Sequence, residues 1–188
     1  MERDDIYDRV NDSETDLWLA FRQGHKAAFS ELYKKCYGKL YSYAIYLGMD
    51  DAVAPDAIQD LFLKLYEKPD IITDASTLLP FLFRSIRNYF INLVKKKAMY
   101  VDIDQLPFTF GYTIDEDLTA EEDRKALEEQ VQKLLSCLTS RQKEVVYFRF
   151  FYEMEYEEIA RIMNISQQGA RNMLHKALEK IRNYPPPC

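Results

Sequence analysis

The chain has 188 residues, 47% of them apolar, five glycines, and a formal charge of -6 from 31 acidic and 25 basic side chains. So much apolar matter buries a real core and excludes a disordered chain, and the length suits one medium domain or two small ones. No run of about 18 apolar residues is available to cross a bilayer. The start Met1-Glu2-Arg3-Asp4-Asp5 has no apolar signal core, so the expectation is a cytoplasmic protein without membrane insertion.

Long runs rich in Leu, Ala, Glu, Lys, Gln and Arg, with no strand-like alternation, predict an all-α protein. The first helix opens at Ser13, with Asp16 three residues on in a capping-box pattern, and runs to about Gln23. A second, from about Lys26 to Leu47, carries one apolar stripe through Phe29, Leu32, Tyr33, Leu40, Tyr43, Ala44 and Leu47, and Gly48 ends it. Pro55 fits the first turn of a third helix, which proceeds through Ile58, Leu61, Phe62 and Leu65 until Lys68-Pro69 stops it. A fourth spans roughly Ser76 to Lys97. Residues 98–118 contain Pro107, Gly111 and many acids without helical period, and read as a linker. Thr119 to Glu122 is another capping-box pattern, followed by helices at about 120–137, 140–152, 156–163 and 167–183. Three consecutive prolines then forbid continuation. The expected layout is two small helical domains, 13–97 and 119–184, joined by an acidic linker over 98–118.

A negative total looks wrong for a nucleic-acid binder, but local charge decides phosphate attraction. Residues 1–16 hold seven acids against two bases, and residues 102–129 hold ten against two. Between Asp74 and Asp102 there is no acid, while Arg84, Arg87, Lys95, Lys96 and Lys97 fall there. Residues 161–182 hold Arg161, Arg171, Lys176, Lys180 and Arg182 against Glu179 as the one acid. Cys36, Cys137 and Cys188 have no Cys or His near them at ligand spacing, so they suggest neither disulfides nor a zinc site, and no cofactor or metal is expected. His25, in the break expected at Gln23-Gly24-His25, reads as structural.

Residues 155–181 have the layout of a helix-turn-helix. A short helix packs through Ile159, Ala160 and Met163, a turn falls at Asn164-Ile165, and Ser166 caps a second helix. In that helix Ala170, Met173, Leu174, Ala177, Leu178 and Ile181 recur at three and four, leaving Gln167, Gln168, Arg171, Asn172, His175 and Lys176 opposite. Such side chains bond base edges and phosphates from a helix in the major groove. An ordinary amphipathic hairpin would show the same two faces. In the fourth helix, Leu82, Phe83, Ile86, Tyr89, Phe90 and Leu93 fall on one side, and Arg84, Arg87, Asn88, Asn92 and Lys95 are read as clustering on the other. Cations neutralise phosphates and amides read bases, although a merely solvated basic face has the same composition. No Gly-rich phosphate loop, Gly-x-Ser-x-Gly or His-Glu-x-x-His is present, so no enzyme is expected.

The order of these blocks resembles the extracytoplasmic-function (ECF) sigma factors of bacterial RNA polymerase. Asp56-Ala-Ile-Gln59-Asp60-Leu-Phe62-Leu-Lys-Leu-Tyr66 resembles the family's Asp-x-x-Gln-Glu/Asp-x-Phe segment. The resemblance implies core-polymerase docking through Asp56, Gln59, Asp60 and Phe62. Phe81-Leu-Phe-Arg84-Ser-Ile-Arg87-Asn88 is similar to the family's Trp-Leu-x-x-Ile-Ala-Arg-Asn. It implies that Phe81, Arg84, Arg87, Asn88, Asn92 and Lys95 open and read the minus-ten element. Residues 138–182 are similar to the family's second conserved domain, which implies minus-thirty-five contacts from Ser166, Gln167, Gln168, Arg171, Asn172, His175 and Lys176. The likeness covers about residues 15–97 and 120–183. Phe81 stands where the family usually has Trp, Pro80 adjoins it, and Gly169 lies in the first turn of the recognition helix, where it costs up to about 1 kcal/mol against Ala. All three bear on promoter preference.

The resemblance implies core RNA polymerase and promoter DNA as partners, an anti-sigma factor, and a monomer when free. A stand-alone operator-binding regulator is the alternative, but it has no reason to carry the segment from Asp56 to Tyr66. A helical adaptor that binds no DNA would leave both basic faces without purpose.

Overall fold

The computed structural model describes residues 13–97, Phe108 and 121–184, and among these every regular element is helical. The α-helices are α1 (Glu14–Arg22), α2 (Lys26–Tyr46), α3 (Ala54–Glu67), α4 (Leu78–Lys97), α5 (Glu121–Ser136), α6 (Ser140–Phe151), α7 (Tyr156–Met163) and α8 (Gln167–Arg182). Each lies within a few residues of its expected position. Two short 3-10 turns, Pro69–Ile71 and Ala75–Thr77, lead into α4 and were not foreseen. The chain divides into two compact units, Met1–Ile45 with Met49–Phe90, and Tyr46–Gly48 with Ile91–Cys188. Apart from Phe108, the expected acidic linker lies outside the described residues, as do the Thr119 cap and the proline tail.

In the first unit, Ser13 caps α1 by accepting the Asp16 amide at 3.2 Å, as its spacing suggested. Gly24, at φ +101, makes the left-handed turn between α1 and α2 that a side chain would strain. Leu17, Trp18, Leu32, Cys36, Leu40, Tyr43, Ile58, Leu65, Leu82, Phe83 and Ile86 are buried together. Trp18 is wholly enclosed, and its indole N–H has no hydrogen-bond partner. Tyr43 meets Phe83 edge-on at 5.2 Å. Burial pushes the Cys36 thiol up to about 12, which keeps it protonated and inert.

In the second unit, Thr139 and Gln142 form a reciprocal capping box at the start of α6. Gln142 is itself buried, and its side-chain oxygen also accepts from Lys180 Nζ at 3.0 Å, tying the start of α6 to the end of α8. Phe108 is buried, with its ring 5.8 Å from that of Tyr147 on α6. It is thus a core residue of this unit despite its place in the acidic segment.

Candidate nucleic-acid interface

α7 and α8 form the helix-turn-helix. Asn164 turns the chain at φ 53, ψ 52, the left-handed region that Asn tolerates better than most residues. The Ile165 amide bonds back to the Ala160 carbonyl at 3.1 Å, which closes the end of α7. Ile159, Ala160, Ile162 and Met163 are buried on one helix, and Ala170, Leu174 and Ala177 on the other. With that apolar seam fixed, Gln167, Gln168, Arg171, Asn172, His175 and Lys176 all stand exposed on α8.

Ser166 is exposed as well, and its hydroxyl accepts the Gly169 amide at 3.0 Å. A Cβ at Gly169 would lie 3.1 Å from that oxygen, so the glycine leaves room for the cap. This is a local reason for a residue whose place in a helix looked costly. Gln168 Nε2 donates to Asn172 Oδ1 at 2.8 Å, holding two amides in one orientation on the exposed face. His175 lies 3.5 Å from Glu179, an ion pair when the imidazole is protonated. An open groove between the start of α6 and α8, lined by Arg141, Gln142, Gly169, Asn172 and Lys176, runs beside these side chains.

On α4, Arg84, Asn88, Asn92 and Lys95 are exposed and recur at four, four and three, which makes a single stripe. Arg87 is not part of it. At about 100° per residue it falls between Phe83 and Ile91 on the wheel. All three are buried, Arg87 at 5% exposure. The expectation that Arg87 belongs to the DNA-facing surface is corrected accordingly: its side chain serves the interior. Phe81 is half-buried beside the stripe, whereas Phe83 is fully enclosed. Of these two rings, Phe81 alone keeps accessible surface next to the stripe.

On α3, Asp56, Gln59 and Asp60 are exposed on one stripe. Phe62, expected to dock with them, is 3% exposed and packs edge-on against Tyr33 at 4.9 Å and Phe29 at 5.7 Å. Its position falls on the buried arc shared with Ile58 and Leu65, so the docking surface cannot include its ring. Leu63, 55% exposed and one turn beyond Asp60 and Gln59, completes that stripe and was missed. An isolated apolar residue in an apolar helix gives no sign of facing outward until its neighbours are placed.

The fold and site define a helix-turn-helix protein with a second compact helical unit. The Sigma-70 region 2 model matches residues 32–99 and the Sigma-70 region 4 model residues 128–181, together about two-thirds of the chain. The chain is 26% identical over 153 residues to the ECF RNA polymerase sigma factor SigM of Bacillus subtilis (strain 168), covering 81% of this chain and 91% of that protein. It is 24% identical over 160 residues to the RNA polymerase sigma factor YlaC of the same organism, covering 84% and 92%. The sigma factor RpoE, solved with the anti-sigma factor NepR from Bartonella quintana, shares the fold with a TM-score of 0.59 at 18% identity, over 82% of this chain and 94% of that one. The chain belongs to the sigma-70 family of RNA polymerase sigma factors, in its ECF subfamily.

Proposed function

We propose that the chain lends promoter specificity to core RNA polymerase by dividing the work between its two units. The α3 stripe of Asp56, Gln59, Asp60 and Leu63 docks on the polymerase. The α4 stripe of Arg84, Asn88, Asn92 and Lys95, with Phe81, holds an opened strand of the minus-ten element. The exposed face of α8 reads the minus-thirty-five duplex. The observation that carries this reading is the pair of polar stripes on α4 and α8, each backed by a packed apolar seam.

The chemistry suits each task. An opened base loses stacking and pairing worth a few kcal/mol, which amide hydrogen bonds and an aromatic face replace. Arg and Gln on α8 discriminate base edges in the major groove, and Lys176 beside its groove suits a phosphate. The chain itself performs no catalysis, acts in the cytoplasm, and is a monomer until polymerase binds it. No described helix is long and apolar enough to cross a membrane. The structural likeness to a sigma factor held by an anti-sigma protein supports a similar regulator here.

Run-off transcription of genomic fragments by core polymerase, with and without the chain, tests this. Discrete transcripts that depend on the chain are expected. Sequence-specific duplex binding by the chain alone, with no such transcripts, overturns the reading in favour of a stand-alone regulator.

A further inference from the structure

Three arginines around the helix-turn-helix are occupied in different ways. Arg161 gives its edge to Glu157, Nη2 to Oε1 at 2.6 Å. Arg149 gives Nη1 to the Met154 carbonyl at 2.9 Å and to Glu155 at 3.1 Å, and its guanidinium also lies over the Tyr156 ring, 5.4 Å from the centroid. Arg171, exposed on α8, has its guanidinium 5.2 Å from the centroid of the same ring. Among the described residues the contact found for Arg171 is thus an aromatic face and not a carboxylate.

That difference has a chemical consequence. A carboxylate consumes the fork of N–H donors along a guanidinium's edge, whereas a π-face meets the flat of the group and leaves the fork unspent. Tyr156 is well placed to act as a fixed platform. It is the first residue of α7, half-buried, and the turn before it is closed by the Glu155 amide donating to the Glu158 carboxylate at 2.8 Å. Arg149, anchored by two oxygens, braces the same ring.

We propose that Tyr156 is a positioning residue for Arg171: its ring holds the guanidinium so that the donor fork faces outward for a bidentate contact with a guanine edge. The proposal rests on the reading of α8 as the base-reading helix. A long side chain held before binding loses less freedom on binding, so the gain falls on the one base pair that Arg171 meets. The usual strength of an exposed cation–π contact sets the size of the effect at about two- to five-fold.

The test uses holoenzyme reconstituted with core polymerase and a pool of promoter duplexes randomised over the upstream element. The variants are Arg171→Ala, Tyr156→Leu, Tyr156→Phe and the Tyr156→Leu, Arg171→Ala pair, each checked for native helicity. Arg171→Ala is expected to erase the preference at one base pair. Tyr156→Leu should weaken that same preference about two- to five-fold and leave other positions unchanged, while Tyr156→Phe retains it. In the Arg171→Ala background, Tyr156→Leu should change nothing further. If Arg171→Ala itself moves no preference, the reading of α8 fails and the proposal with it. If Arg171→Ala erases a preference that Tyr156→Leu leaves intact, or if Tyr156→Leu weakens all positions alike, the positioning role is overturned while the interface stands.

Discussion

The Ser166 hydroxyl accepts the Gly169 amide at 3.0 Å, and the Cβ that Gly169 lacks would sit 3.1 Å from the same oxygen. Cap and glycine therefore act as one device at the start of α8. Ser166→Ala should cost about 1 kcal/mol of stability. Gly169→Ala gains up to about 1 kcal/mol in helix propensity but crowds the cap, so alone it should leave stability nearly unchanged. In the Ser166→Ala background the crowding is gone, and Gly169→Ala should then stabilise. Thermal unfolding of the four proteins decides the matter. Equal gains from Gly169→Ala in both backgrounds would disprove the coupling.

Arg84 and Arg87 are three residues apart, about 60° around α4, yet the first is exposed and the second buried. Arg87→Ala should lose roughly 1–3 kcal/mol of stability, through lost packing and a partner left unpaired. Arg84→Ala should stay within about 0.5 kcal/mol of the parent. Strand opening should show the reverse dependence. Arg84→Ala and Asn88→Ala should form closed complexes normally but slow the appearance of permanganate-reactive thymines, and a pre-melted bubble template should rescue both. Failure of the bubble to rescue them would remove α4 from the opening step.

Polymerase docking separates in the same way. Phe62→Ala should destabilise the first unit by about 3–5 kcal/mol, since it empties a space among Phe29, Tyr33 and their neighbours. A Gln59→Ala, Asp60→Ala, Leu63→Ala triple variant touches exposed positions and should fold normally, but lose co-purification with core polymerase. Undiminished co-purification would rule out this face.

Glu14 on α1 is paired with Lys39 on α2. Burial acts against its charged form, but the Lys39 hydrogen bond, a backbone hydrogen bond and the charges of Lys39 and Lys35 together outweigh this and hold the carboxyl below its ordinary value. A carboxyl depressed in the folded state stabilises it fully above the unfolded value, and that stability is lost as pH falls through the folded one. Glu14→Gln should therefore cost about 1 kcal/mol at neutral pH. The gap to the parent should close as pH drops below roughly 4. Urea unfolding at both pH values measures it, and a gap independent of pH would show that Lys39 does not set the titration.

The helices were legible because their apolar positions recur at three and four and because Ser13, Gly48, Ser166 and the prolines punctuate them. The 3-10 turns at Pro69–Ile71 and Ala75–Thr77 were not, since three-residue elements show no period. In the site, all seven expected α8 positions, Ser166 included, proved exposed. Arg87 and Phe62 depart from expectation for one reason: a cation points to the surface and a family aromatic to a partner by residue type, while both wheel positions lie on buried arcs. Tyr156 was invisible as a partner of Arg171, because a contact across a turn depends on how α7 and α8 cross, and spacing along the chain does not record that.

Trp18 is the single tryptophan of the chain, and it is sealed inside the first unit with its indole N–H unmatched. It makes the molecule self-labelled on one side. Emission excited selectively at the indole reports the melting of that unit alone, while far-ultraviolet circular dichroism sums over both. Superimposable curves from the two signals would mean that the halves unfold as one cooperative system, and separated curves would give each half its own stability without any dye or cut.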